Sequence, residues 1–268
     1  MRGIFKILAA LFMAGTAAVS YCTLRQDNPI TGESQRIGIT TEQEIALGLQ
    51  AVPEVAQQFG GLLNDPQITA GVEEIGQRIV QNSDAAKADY KFKFHVLADD
   101  QTVNAFALPG GQIFVTMGML KLLETKGELA GVLGHEIAHV IARHSAEQMA
   151  KMQLTQGLTG AAVMATYDPE NPSTQTGAAV AALIGNLVNM KYGREDELES
   201  DKWGIRLMHQ SGYDPRAMIR VMQVLAKAGG GAQPEFFSTH PNPENRVAKI
   251  QQAIQEEFPN GVPDNLEK

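Results

Sequence analysis

The residues with the clearest chemistry are His135, Glu136 and His139, within Gly134-His135-Glu136-Ile137-Ala138-His139. A helix advances about 100° per residue, so the two histidines lie about 40° apart around the axis and one turn apart along it. Two imidazoles placed this way can hold one Zn²⁺ at roughly 2.0–2.1 Å per nitrogen. Glu136 then stands beside the metal, positioned to deprotonate an attacking water rather than to ligate. The bland alternative is a pair of histidines that happen to share a helix face. Leu129, Val132, Leu133, Ile137, Val140 and Ile141 recur at helical spacing, with no proline from Lys126 to Asp168, so the pattern predicts a helix here.

A metal site needs a third ligand. The metzincin spacing would require glycine at 142 and histidine at 145, but the chain has Ala142 and Ser145. His144 falls about 140° round the helix from His139, which places it at the surface or behind a ligand. His95 alternates with the apolar Phe94 and Val96 and so faces away from them; it is not read as a ligand. The acidic run Arg194-Glu195-Asp196-Glu197-Leu198-Glu199-Ser200-Asp201 is more informative. Glu197 and Asp201 share a helix face, and Gly204 continues the stripe with room for a second helix to approach. The run adjoins Trp203, Ile205, Leu207 and Met208, so part of it turns inward, and a buried carboxylate needs a cation. Glu197, 58 residues after His139, is the best-placed third ligand.

Composition sets the bounds. A chain of 268 residues, 44% hydrophobic, can bury the core of one large or two small domains. A net charge of −8, a pI near 5.3 and scattered lysines and arginines argue against nucleic acid as a partner. The single cysteine, Cys22, excludes an internal disulfide framework and a thiolate zinc cluster.

The elements that must position the site follow in order. Arg2 and Lys6, the apolar run Ile7 to Val19 and the small residues Ala18-Val19-Ser20 read as an export signal over residues 1–21, the run being short for a bilayer span. Cys22 directly after it offers a lipid-attachment site, although Tyr21 is bulky where such sites favour small residues. Residues 22–39 read as a polar linker and 40–268 as the metallopeptidase domain. Thr41-Glu42-Gln43-Glu44 opens one helix, with Pro53 interrupting or kinking it, and Asp65-Pro66 opens another. Phe92 to Val96, Asn104 to Leu108 and Gln112 to Thr116, with the turn Pro109-Gly110-Gly111, predict a small antiparallel sheet. Its edge at Asn104, Ala105, Phe106 and Ala107 would suit an extended peptide pairing backbone to backbone. Residues 148–192 read as two helical arms with a flexible tip, either a lid or a plain helical hairpin. A helix stop at Ser211-Gly212, a helix to about Ala228, a Gly229-Gly230-Gly231 hinge and a last helix from Pro243 to Glu257 complete the chain.

His135-Glu136-x-x-His139, the later Glu197-x-x-x-Asp201, Asn104-Ala105-Phe106-Ala107-Leu108-Pro109-Gly110-Gly111, and Thr239-His240-Pro241 with Arg246 occur in this order. Together they resemble the gluzincin metallopeptidase family of HtpX, BepA and the CAAX prenyl-protein endopeptidases, over roughly Ile45 to Ile250. Asn28-Pro29-Ile30-Thr31-Gly32 after Cys22 resembles its exported lipoprotein branch. The resemblance implies a mainly helical α+β fold with a zincin-like core: a small sheet, the HExxH helix, and a second helix carrying the glutamate ligand. It implies one Zn²⁺ per chain on His135, His139 and Glu197, Glu136 as catalytic base, and Asp201 accepting from a ligand imidazole. His240 is implied as a latch on the metal's open position or as an oxyanion stabiliser, with a helix cap as the bland alternative. Arg246 is implied to orient His240 or a nearby carboxylate. The expected function is cleavage of unfolded or misassembled envelope proteins in the bacterial periplasm, alongside envelope assembly machinery, with membrane attachment through a lipidated Cys22. The rival is a chaperone-like quality-control binder with latent peptidase activity. Without convincing transmembrane helices, prenylated membrane substrates are not expected.

Overall fold

A computed structural model describes residues 2–166, 190–228, 234–242 and 245–268. The first helix, α1 (Arg2–Thr23), is followed by the strands β1 (Arg25–Asp27) and β2 (Ser34–Arg36), then α2 (Thr41–Gln58) and α3 (Pro66–Gln81). Strands β3 (Lys93–Leu97), β4 (Ala105–Leu108) and β5 (Gln112–Thr116) lead through a short α4 (Met117–Leu120) to α5 (Lys126–Ile141) and α6 (His144–Thr166). Beyond position 189 come α7 (Arg194–Gln210), α8 (Ala217–Ala228), the single turn α9 (Phe236–Thr239) and α10 (Arg246–Glu257). The architecture is mainly helical α+β, as the sequence predicts.

α5 is the axis of the molecule. Thr125 caps it, accepting from the Glu128 N–H while the Glu128 side chain reaches back, and from Ala130 to Ile141 every residue is buried. A helix apolar all round must be enclosed. α7 covers one side of α5, α8 and α3 two more, and β4 lies along another. Leu133, Ile137 and Ile141 pack there with Ile205, Leu207 and Val115 in one core cluster. Truncating a buried leucine or isoleucine of this kind to alanine costs about 2–5 kcal/mol.

The sheet differs from the wholly antiparallel expectation. Its order is β3-β5-β4, with β4 and β5 antiparallel across the Pro109-Gly110-Gly111 turn but β3 parallel to β5. The chain leaves β3, builds β4 at the far edge, and returns through β5 in the middle, so β3 and β4, consecutive in sequence, are not neighbours in the sheet. The turn needs its glycine: Gly110 has φ +78°, and a Cβ there would sit 2.4 Å from the α-carbon of Ile45 on α2.

Three local expectations shift. The capping box of α2 is Thr40 with Gln43, one residue earlier than read, and α2 continues through Pro53. α1 extends past Val19 to Thr23, and Ile4–Thr23 is long and apolar enough to cross a membrane. The stretch after Cys22, read as a linker, forms an antiparallel hairpin of β1 and β2, with Asn28 and Gln35 buried. The Asp65 cap of α3 and the stop of α7 at Ser211-Gly212 stand where the sequence puts them. α6 carries the first predicted arm to Thr166; the tip and most of the second arm lie outside the described residues, as does the Gly229-Gly230-Gly231 hinge.

Candidate metal centre

The site forms where α5 and α7 cross. Gly204 permits the close approach: a Cβ there would lie 3.2 Å from the His135 backbone nitrogen and 3.1 Å from Cε of Met218. One turn and two turns toward the N-terminus of α7, Asp201 and Glu197 therefore face α5 rather than solvent, and both are buried. The stripe predicted from spacing is the contact stripe.

Four side chains converge. His135 Nε2 lies 3.1 Å from His139 Nε2 and 3.5 Å from Glu197 Oε2, and His139 Nε2 lies 3.4 Å from Glu197 Oε1. A tetrahedron with bonds of 2.0–2.1 Å has edges of roughly 3.3 Å. His240 completes the cluster, one ligand atom from each of the four lying within 4.8 Å of the others. Both oxygens of Glu136 and Nε2 of His240 are buried without a hydrogen-bond partner, and Glu197, equally buried, has an ion pair with Arg246 but no well-aligned hydrogen bond. Unpaired buried polar atoms carry a desolvation cost of about 1–3 kcal/mol each, more when charged. Their convergence on one point fits a metal ion. So does the surplus of carboxylates: Glu197 and Asp201 share the single guanidinium of Arg246, and Glu136 is buried beside them.

Further contacts hold the four side chains in place. Nδ1 of His135 donates to Asp201 Oδ1 at 3.0 Å, and Arg246 clamps Asp201 through Nε and Nη2, each at 2.8 Å. A third nitrogen of Arg246, Nη1, lies 3.0 Å from Glu197 Oε2. Arg246 thus meets the carboxylates of Asp201 and Glu197. The ring of His240 stacks on Phe236 with centroids 4.3 Å apart, and its Nδ1 is 3.2 Å from the Phe236 carbonyl. The Thr239 hydroxyl also meets Nδ1, at 2.9 Å, and Nε2 faces the cluster, 3.5 Å from Glu136 Oε1.

Proton affinities follow. Burial works against a charged His135, but Asp201 and Glu197 override it and raise its pKa to about 9. Burial, with the neighbouring His135 and His144, holds His139 well below the ordinary imidazole value. Burial opposes ionisation of Glu197 and Asp201 as well; His240 and the ligand histidines outweigh it for the first, Arg246 for the second, and both end up below the usual carboxylate range. The cluster attracts positive charge.

Two neighbours of His139 were not legible as such. His144, left between surface and second layer, is buried with Nδ1 2.9 Å from His139 Nδ1; its Nε2 lies 3.3 Å from Glu199 Oε2. Tyr192 stacks on His139 at 4.0 Å, its hydroxyl bonded to Ser145 Oγ at 3.0 Å and reaching the Ala107 carbonyl of β4 at 3.5 Å. An aromatic residue two positions before the acidic helix was the available signal. β4 is an edge strand beside α5, Asn104 immediately precedes it, and Asn104 to Ala107 are all buried. His95 stays outside the cluster, stacked on Phe114 and bonded to Gln112.

Residues 66–254 match the profile of peptidase family M48, and the chain belongs to that family. It is 29% identical over 254 residues to the beta-barrel assembly-enhancing protease of Escherichia coli (strain K12), covering 92% of this chain and 51% of that protein. The Yersinia pestis protein of the same name is 32% identical over 227 residues, covering 82% of this chain and 46% of its own length. The mitochondrial metalloendopeptidase OMA1 of Schizosaccharomyces pombe is 31% identical over 254 residues, with 93% and 72% covered. The chain thus spans about half the length of the bacterial relatives.

Proposed function

We propose that this chain is a zinc-dependent endopeptidase acting on unfolded or misassembled envelope proteins. The observation that carries the proposal is the meeting of His135, His139 and Glu197 at tetrahedral separations, with Glu136 beside them and both of its oxygens unpaired. Two imidazoles and one carboxylate are a donor set that suits zinc. When bound, zinc supplies a Lewis acid that polarises a carbonyl and lowers the pKa of water from roughly 15.7 to about 7. Glu136 accepts the proton of the attacking water and returns it to the leaving amine nitrogen. Asp201 keeps the His135 ring in register, and Arg246 keeps Asp201 ionised.

The outer edge of β4 would align the substrate by backbone pairing, and the buried, unpartnered side-chain oxygen of Asn104 is available to a substrate N–H. Backbone pairing selects extended chains, hence unfolded protein. The apolar α1 and the exposed Cys22 support export and attachment at a membrane, and the similarity to beta-barrel assembly-enhancing proteases supports a place beside envelope assembly machinery.

His240 supports a self-inhibited resting state. Its Nε2 lies beside the other donor atoms, where it would compete with substrate for a bound metal, and Tyr192 takes the Ala107 carbonyl. The same closure favours a second reading, a quality-control binder whose peptidase activity is latent. Glu136→Gln decides between them. Metal content should stay at one zinc per chain while cleavage of an unfolded envelope protein falls by about 10²–10⁴-fold. Undiminished cleavage removes Glu136 as the base; no cleavage by either protein leaves the binder.

A further inference from the structure

The last carbonyls of α5 do not point into solvent. Asn28 Nδ2 donates to the Ile141 carbonyl at 2.8 Å, and Gln35 Nε2 donates to the carbonyl of Ala142. Both side chains come from the β1–β2 hairpin, more than a hundred residues earlier, and both are buried. Asn28 also ties the hairpin together: its Oδ1 accepts from the N–H groups of Ile30 and Thr31, and its Nδ2 reaches Gln35 Oε1 at 3.1 Å.

The point of attachment is the joint between α5 and α6. His139 lies just before it and His144 just after it, their Nδ1 atoms 2.9 Å apart. Between them the backbone reverses at Arg143, a non-glycine residue at φ +55°, whose side chain is held by Glu44 and by the Ile39 carbonyl. A left-handed residue at a helix junction persists only where its surroundings determine it. Unreceived helix-end carbonyls would loosen this joint, and the distance between His139 and His144 would loosen with it.

We infer that Asn28 and Gln35 are positioning residues of the metal site: their amides clamp the α5–α6 joint and so set the His139 ring against His144. This gives the Asn28-Pro29-Ile30-Thr31-Gly32 turn a task in the chemistry without contact with substrate or metal. The inference rests on the metal reading above.

Asn28→Asp removes the donor, because aspartate keeps the oxygen that receives Ile30 and Thr31 and loses the amide N–H groups aimed at Ile141 and Gln35, while adding a charge. Gln35→Met removes the other donor at nearly constant size and without charge. Arg25→Ala is the control, since Arg25 touches only the exposed face of the hairpin through Ser34. The full chain is titrated with Zn²⁺ against a competing chelator, and the Co²⁺-substituted proteins are compared by their visible spectra. Each donor variant should bind Zn²⁺ about tenfold or more weakly, the range for lost outer-layer partners, with a shifted Co²⁺ spectrum, while Arg25→Ala retains both. Donor variants that melt earlier yet keep the wild-type affinity and spectrum overturn the inference and leave the hairpin a mere brace. Should Asn28→Asp fail to fold, Gln35→Met decides alone. A wild-type chain that binds no Zn²⁺ sinks the metal reading instead, a distinguishable result.

Discussion

Arg246 and Asp201 form a two-pronged ion pair, both hydrogen bonds at 2.8 Å, in a site where each side chain is almost fully enclosed. The pair links α10 to α7, and Asp201 passes the alignment on to His135 on α5. Removing one member of a buried pair costs about 3–5 kcal/mol, because its partner keeps an uncompensated charge. Arg246→Met should therefore lower the thermal midpoint measurably and weaken zinc binding about 10–100-fold. Arg246→Lys should recover part of the stability but not the affinity, since an ammonium cannot grip both carboxylate oxygens in one plane. Thermal melts and chelator competition read the two separately; wild-type affinity in both variants would remove Asp201 from the ligand's support.

The proton balance of metal binding can be worked out from the two histidines. His135 has a folded-state pKa of about 9, above the value of about 6.5 expected in the unfolded chain. Its contribution to stability is fully present below about 6.5 and is lost as pH rises through about 9. His139, held well below the ordinary value, carries no proton at neutral pH. Chelator-treated protein should thus release about one proton on taking up zinc near pH 7.5, and none well above pH 9. Calorimetric titration in two buffers of different ionisation enthalpy measures the number, and a release of two would place a proton on His139 as well.

The site was more legible than its frame. His135, Glu136 and His139 sit within one helical turn, so spacing alone fixes their relation, and no tertiary information is needed. Glu197 and Asp201 were found because their acidic helix is also apolar at Ile205, Leu207 and Met208, which forces part of it inward. His144 and Tyr192 escaped because their roles depend on the reversal at Arg143 and on packing between distant segments. The parallel pairing of β3 with β5 escaped because alternation gives a strand but not its neighbour. The hairpin after Cys22 left no apolar signature at all; what Asn28 and Gln35 supply is hydrogen bonds, to which hydrophobic patterning is blind.

His240 gives a prediction with two signs. Its Nδ1 is engaged by the Thr239 hydroxyl and the Phe236 carbonyl and its Nε2 faces the other three donor atoms, a placement that would suit a fourth ligand. His240→Ala should then raise the rate of cleavage of an unfolded protein several-fold at saturating zinc while weakening retention of the metal. A fall in kcat with unchanged zinc content would make His240 a stabiliser of the oxyanion instead. Single-turnover cleavage with parallel metal analysis distinguishes these outcomes.

The crossing of α5 and α7 is tested at Gly204. A Cβ at this position would meet the His135 backbone nitrogen at 3.2 Å and the Gly134 carbonyl carbon at 3.3 Å, neither of which can rotate away, besides the more yielding Met218 methyl at 3.1 Å. Alanine asks the two helices to part by a few tenths of an ångström; valine asks for more, and Glu197 and Asp201 must move with α7. Overpacking of this kind costs about 1–3 kcal/mol. Gly204→Val should lower stability by that amount and weaken zinc binding at least about tenfold, with Gly204→Ala between it and the wild type. Gly71→Ala on α3, where a Cβ meets nothing within 4 Å, should keep the affinity and gain up to about 1 kcal/mol of stability. Zinc affinity undisturbed in Gly204→Val would mean that the ligand geometry does not depend on how closely these helices approach, and the role given to α7 would have to be withdrawn.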